Sequence, residues 1–230
     1  MKLFRILCIG LLMLTLKTPV LTAQFGEFEG NGEYFESLRS ISVAVPIMAV
    51  SPDARAGGMG DVGVASAPDV NSIYWNTGKL AFLGEGTNEL AISYTPWLNR
   101  LVNDINLAHV SYASALDDRQ ALAVALRYFS LGEIQFRNRF NEPQGVGQPF
   151  ELALNVAYAR KLSERFSMGV GLRYIFSDLT NGLQTPGLQA DPGSSLAADL
   201  GMYYQSEEFN MGQGQKQSFA LGLNFSNIGG

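Results

Sequence analysis

The chain is 230 residues long, 47% hydrophobic and glycine-rich, with 25 glycines, one histidine, one cysteine and a formal net charge of −5. An acidic balance argues against nucleic acid or anionic headgroups as the principal partner. One His and one Cys are too few for a structural zinc site, and no second thiol exists to form a disulfide.

Lys2 and Arg5 make a short basic start, Ile6–Leu16 is an apolar run of secretory length, and Thr18–Ala23 ends in a small residue before Gln24. Residues 1–23 therefore read as a signal peptide cleaved near Ala23, too short and wrongly flanked to be a transmembrane helix. Cys8 lies inside the apolar run, where it does not fit a lipoprotein anchor, and the mature chain would carry no thiol. Removal of Lys2, Arg5 and Lys17 would leave 13 basic residues against 21 acids, a net charge of about −8. Residues 24–40 are polar, glycine-rich and acidic (Glu27, Glu29, Glu33, Glu36) and read as a flexible leader.

Residues 41–87 form a separate segment. Within it, Gly58-Met59-Gly60-Asp61-Val62-Gly63 spells the G-x-G-x-x-G of a dinucleotide-binding turn. That chemistry needs a strand running into the glycines and a helix leaving them, so that phosphate sits on the helix N-terminus. Here Ser51–Arg55 separates the extendable Val43–Val50 from the first glycine, and Gly63 and Pro68 stand where the helix should run. An exported chain is also a poor setting for a hydride-transfer cofactor. No cofactor is expected.

From Asn88 onward the chain alternates at period two, the signature of strands. Seven segments carry it. In Glu89–Thr95, Leu90, Ile92 and Tyr94 share one face; in Ile105–Ala113, Ala108, Val110 and Tyr112 do, with Leu107, His109 and Ser111 opposite. Ala121–Leu131 sets Leu122, Val124, Leu126 and Tyr128 against Ala123, Ala125 and Arg127; Glu151–Lys161 sets Leu152, Leu154, Val156 and Tyr158 against Ala153, Asn155 and Ala157. Phe166–Ser177 sets Met168, Val170, Leu172 and Tyr174 against Gly169, Gly171 and Arg173. Leu196–Gln205 sets Leu200, Met202 and Tyr204 against Asp199, Gly201 and Tyr203, and Phe219–Ser226 sets Leu221, Leu223 and Phe225 against Ala220, Gly222 and Asn224. The second segment is the least clean, since Leu107 falls on the wrong side.

Each segment thus has a bulky apolar face and a small or polar one, with an aromatic near its C-terminal end. The turns around Leu116–Arg119 and Leu162–Arg165 are short, whereas Gly132–Pro149 and Asp178–Ser194 are long. Short periplasmic turns, long external loops and aromatic girdles belong to antiparallel transmembrane β-barrels. A soluble β-sandwich also alternates, but its outward face carries many charges. The fold class expected is all-β, an antiparallel transmembrane barrel with an N-terminal plug. About seven strands is an odd number, and unpaired backbone in lipid costs several kcal/mol per group. Residues 88–230 are accordingly expected to be the first half of a longer barrel that continues past Gly230.

The run A-R-A-G-G-M-G-D-V-G-V-A, Ala54–Ala65, followed by A-P-D-V-N-S-I-Y-W-N-x-x-K-L-A-F, Ala67–Phe82, resembles the N-terminal hatch of FadL-type outer-membrane proteins. Within that group the segment Val45–Phe82 most resembles the PorV (LptO) family, the outer-membrane component of the type IX secretion system of Bacteroidetes. Asn76-Thr77-Gly78 stands where that family usually shows Asn-Pro-Ala; it keeps the Asn and loosens the turn. The resemblance implies a hatch whose structural residues are Asp53, Arg55, Gly57, Gly58, Gly60, Gly63, Trp75 and Asn76. The glycines would let the hatch fold back into a narrow lumen where Cβ atoms would collide. Asp53 and Arg55 would pair with lumenal Arg127, Asn155, Arg173 or Asp199.

The resemblance further implies a non-enzymatic role without cofactors. Such proteins receive secreted cargo carrying a C-terminal signal from the translocon and deliver it to a surface attachment complex with a PorU-like sortase. The long loops are then the candidate cargo surface, and Phe136, Arg137, Arg139 and Phe140 mix aromatic and basic groups suited to protein recognition. Two other readings stand beside it. One is a FadL-like channel for hydrophobic small molecules, with an apolar pocket between hatch and wall. The other is an outer-membrane hydrolase built on His109 and Ser111, for which no orienting acid or oxyanion site is visible.

Overall fold

Bulky residues on one parity and small ones on the other suit a strand that separates two unlike environments. The computed structural model describes residues 45–97, 104–137, 140–179, 192–210 and 216–229, and in it these segments build one large antiparallel sheet. The expected signal peptide, the leader 24–40 and residues 41–44 lie outside the described residues.

A 3-10 turn over Pro46–Ala49 comes first, followed by α1 (Ala54–Gly58), α2 (Ser72–Trp75) and a second 3-10 stretch, Thr77–Phe82. The strands are β1 (Asn88–Pro96), β2 (Asn106–Ala115), β3 (Gln120–Ser130), β4 (Ile134–Arg137), β5 (Pro143–Gly147), β6 (Phe150–Ser163), β7 (Phe166–Asp178), β8 (Gly193–Gln205), β9 (Phe209–Asn210), β10 (Lys216–Gln217) and β11 (Ala220–Gly229). The sheet order is β1-β2-β3-β6-β7-β8-β11, every neighbour antiparallel, with β4-β5 and β9-β10 as separate two-stranded ribbons. The sheet is open, with β1 and β11 at its edges. No described helix is long and apolar enough to cross a membrane.

The architecture is all-β. All seven expected strands are present; most ends run a few residues further, while β2 begins after Ile105, β3 ends before Leu131 and β11 begins after Phe219. The expected loop 132–149 contains the β4-β5 ribbon, which Pro143, Gly145 and Gly147 disguise as loop sequence. Short turns join β2 to β3 and β6 to β7. In the first, Asp117 accepts hydrogen bonds from the Arg119 N–H (2.8 Å) and the Gln120 side chain (2.6 Å), which fixes the chain reversal locally. We call the end of the sheet with these turns the lower end, and the opposite one, from which β4 and β5 project, the upper end.

The two faces differ sharply. Leu90, Ile92, Tyr94, Val110, Tyr112, Leu122, Val124, Leu126, Tyr128, Leu154, Val156, Val170, Leu172, Leu196, Leu221, Leu223 and Phe225 are exposed on one side, Ile92 by as much as 73%. Aromatics gather at both ends of this face. Tyr128, Phe150 and Phe176 pack ring to ring at 5.7 and 5.9 Å near the upper end, and Tyr204 meets Phe219 at 5.9 Å near the lower. The other side buries Ala113, Ala115, Ala121, Ala123, Ala125, Ala157 and Ala159 against Val70, Ile73, Leu80, Ala81 and Leu83 of the N-terminal segment. Leu107 belongs to this inner face too. Nearer the upper end it is fully buried with Phe129 and Ile47, where the thin turn that carries Ile47 leaves room for large wall residues.

Candidate functional site

The N-terminal segment lies along the inner face from the upper end to the lower. Pro46 starts the first 3-10 turn, as its fixed φ and missing N–H favour. That turn presents Ile47 between β3 and β6. The Ile47 N–H donates to Glu151 Oε2 (2.9 Å), and Arg127 Nη1 donates to the Ile47 carbonyl (2.7 Å). Ser177 donates to the other Glu151 oxygen at 3.1 Å, and the Tyr74 hydroxyl donates to the Met48 carbonyl at 2.9 Å. Arg127 also sits over the Tyr74 ring, 4.3 Å from its centre. Both main-chain groups of one residue are thereby held by buried charges, the strong class of hydrogen bond.

Asp53 caps α1 by accepting from the Ala56 N–H at 2.7 Å, the ordinary role of an Asp at that position. Its second oxygen accepts from Trp75 Nε1 at 2.8 Å. Arg55 pairs with Asp69 at 3.3 Å, well exposed. The expected pairing of Asp53 and Arg55 with wall residues is therefore corrected: both serve the segment itself, because α1 stands away from the sheet.

The glycine assignment also changes. A Cβ at Gly57, Gly58 or Gly60 would meet nothing within 4 Å. Gly60 is needed for its φ of +80°, which ends α1, and Gly63 because a Cβ would strike the Trp75 indole. The glycines that admit a close approach are in the wall. Gly169 lies under the Thr77 carbonyl, Gly201 under Asn76 and Gly78, and Gly222 under the Val64 carbonyl. Asn76 exploits this, donating to the carbonyls of Val64 and Met202 (both 2.9 Å) and accepting from the Gly78 N–H (3.0 Å). Ser167 donates to the Gly78 carbonyl at 2.6 Å.

Lys79 is fully buried and donates to the Gly63 carbonyl and the Ser66 hydroxyl, each at 2.9 Å. Burial pulls its ammonium down to about 8, with Asp69 partly opposing the shift and Arg55 adding to it. Between pH 8 and the ordinary lysine value the unfolded chain holds a proton that the folded chain has released, so stability should rise with pH across that window. Urea unfolding of the purified full chain in micelles at pH 7 and pH 10 measures this. The rise is expected in the unaltered protein and absent in Lys79→Met.

The inner-face parity groups Arg173 with Asn155 and Asp199, and they are in contact. Arg173 donates to Asn155 at 2.9 Å and to Asp199 at 2.7 Å, and it also contacts Asn227. Asn227, at φ 59° beside a register shift in β11, donates its N–H to Asp199 at 2.8 Å. His109 and Ser111 do not form a couple. Ser111 donates to Asn71 at 3.2 Å, and neither His109 nitrogen has a partner among the described residues. No three His, Cys, Asp or Glu side chains among the described residues are grouped to hold a metal ion.

Of the candidate cargo surface, Phe136 and Arg137 end β4, and Phe140 is exposed in the turn that follows; Arg139 lies outside the described residues. The ribbon's base is tied down by Asp104, which accepts from the Glu133 N–H at 2.6 Å, and by Gln148, which donates to Glu133 at 3.2 Å. Sequence reasoning missed Glu151, Lys79 and Asn227. Strand parity does put Glu151 on the inner face with Ala153, but nothing in the sequence marks the main-chain group it serves.

A family model described as type IX secretion system protein PorV matches residues 34–230. No curated protein matches the chain.

Proposed function

The chain belongs to the PorV family of type IX secretion system proteins, and from that premise we propose that it works in the outer membrane as a β-barrel that hands secreted cargo to the surface attachment machinery. The exposed apolar face of the seven-stranded sheet is the observation that supports this reading most. So many large side chains pointing outward would be an aggregation liability in water and are the natural lining of a strand wall in hydrocarbon. The aromatic rows near both strand ends suit the two interfaces, with the short turns on the periplasmic side. Residues 45–83 serve as a plug, and the small inner face is the lumenal side that receives it.

Cargo bearing a C-terminal signal meets the upper rim in this reading. The β4-β5 ribbon and its turn offer Phe136, Arg137 and Phe140 on a base fixed by Asp104, so that aromatic and basic groups are held outside the wall. The protein then passes the cargo to a PorU-like attachment complex and performs no chemistry itself. One cavity among the described residues, of about 230 Å³ between plug and wall, is lined by Arg173, Asn224, Ser226 and Asn227 opposite Met48, Val64, Tyr74 and Trp75. That half-polar lining does not favour a channel for hydrophobic small molecules.

Alanine at Phe136, Arg137, Arg139 and Phe140 together should lower surface attachment of cargo several-fold and leave the amount of folded barrel unchanged. Fractionation of cells and quantification of attached cargo test this. Normal attachment would defeat the assignment of that surface.

A further inference from the structure

The two ends of the inner segment are fastened to the sheet by different chemistry. At the lower end the contact is main chain against main chain. Gly169, Gly201 and Gly222 let residues 64 and 76–78 lie directly on the strands, Asn76 and Ser167 close the remaining hydrogen bonds, and Leu80, Ala81 and Leu83 are buried on the alanine face. At the upper end the turn Pro46–Ala49 is seated through side chains: Ile47 fills a cup of Leu107 and Phe129, and Val45, Met48 and Val50 pack half-buried around it. It is held from outside by four side chains: Glu151, Arg127 and Tyr74 on its main chain, and Arg173, which donates to Met48 Sδ at 3.7 Å. Between the two lies a stretch with little support. Ala54, Arg55 and residues 57–62 are all exposed, and Gly57, Gly58 and Gly60 face open space.

We infer that the segment moves in two parts: a head, Val45–Val50, that leaves its seat as a unit, and a foot, Asn76–Leu83, that stays. The head can go because its grip is side-chain charge and a few apolar side chains, Ile47 foremost, which come away without disturbing a strand. The foot cannot follow, since its partners are the strand backbones and its own 3-10 stretch leads straight into β1. Departure of the head uncovers Leu107 and Phe129. It lets Arg127 and Glu151, freed from Ile47, turn toward each other across adjacent strands, and it enlarges the cavity that Met48 and Tyr74 line. The glycine-rich stretch between head and foot absorbs the movement. This inference rests on the seating of the segment alone, so it stands or falls separately from the cargo role.

Thiol labelling of the full chain tests it, with Cys8→Ser as background and Ile47→Cys or Leu80→Cys as single reporters. Each is treated with a bulky maleimide in the unaltered background, in Glu151→Gln and in Tyr74→Phe. Loss of a charged acceptor on the Ile47 N–H should raise the labelling rate of Ile47→Cys roughly tenfold or more, with a smaller rise in Tyr74→Phe. Leu80→Cys should stay slow in all three. Should Ile47→Cys fail to assemble, Met48→Cys reports on the same head with Ile47 intact. Acceleration of both reporters together, or of neither in either background, would overturn the two-part movement.

Discussion

Alanine in place of Asp199 should cost the folded protein roughly 3–5 kcal/mol, the range for breaking a buried ion pair from one side. Arg173 and Asp199 are almost completely buried and bond at 2.7 Å, Arg173 Nη2 to Asp199 Oδ2. The second Asp199 oxygen accepts the Asn227 N–H at the register shift of β11. Removing the carboxylate therefore leaves a guanidinium without its counter-charge and a main-chain donor without its acceptor, two separate penalties in one change. The pair itself is not expected to be worth that amount, because both charges were desolvated to make it. The double variant Arg173→Met with Asp199→Leu removes both charges and should recover most of the loss. Urea unfolding of the full chain in micelles compares the three proteins. A single variant within about 1 kcal/mol of the unaltered protein would mean that water reaches the pair.

Parity carried much of this architecture into view. Once Leu122, Val124 and Leu126 are read as one face and Ala123, Ala125 and Arg127 as the other, the side of the sheet on which each residue lies follows, for Arg173 and Asp199 as much as for Leu172. The placement of Leu107 shows why a parity exception should be kept and not smoothed away. It marks the place where the inner wall changes from alanine to large residues because the short turn bearing Ile47, and not the stretch Val70–Leu83, lies above it. The contacts of the segment were a different matter. Period two says nothing about a stretch made of 3-10 turns and one-turn helices, so Asp53 and Arg55 were matched to wall charges by sign alone, and sign does not give distance. Asp53 is used up by a helix cap and the Trp75 indole, both local features of the chain. Ile47 escaped notice because it is read through its main chain, which every residue possesses.

The glycines separate the two sources of information most cleanly, and the same division yields the second large effect. Valine at Gly169 or Gly201 should destabilise the fold by roughly 3 kcal/mol, the upper end for overpacking a filled interior. At Gly169 the first added carbon would stand 2.5 Å from the Thr77 carbonyl carbon, and at Gly201 it would stand 2.7 Å from the Gly78 N and overlap Asn76 Oδ1. Since a main-chain atom of the foot blocks each position, no rotamer change alone relieves it; either the foot lifts or the strand bends. Alanine at Gly57 or Gly58 meets open space inside α1 and should be neutral or stabilising by about 0.5–1 kcal/mol, through the entropy that glycine surrenders on folding. Gly60 falls between, with about 1–2 kcal/mol expected for alanine because its φ of +80° is left-handed while its surroundings are empty. Unfolding of the five variants in micelles ranks them directly. If Gly57 and Gly58 proved as intolerant as Gly169 and Gly201, the motif would have to lie against the wall after all, and the seating of the whole segment would need to be redrawn.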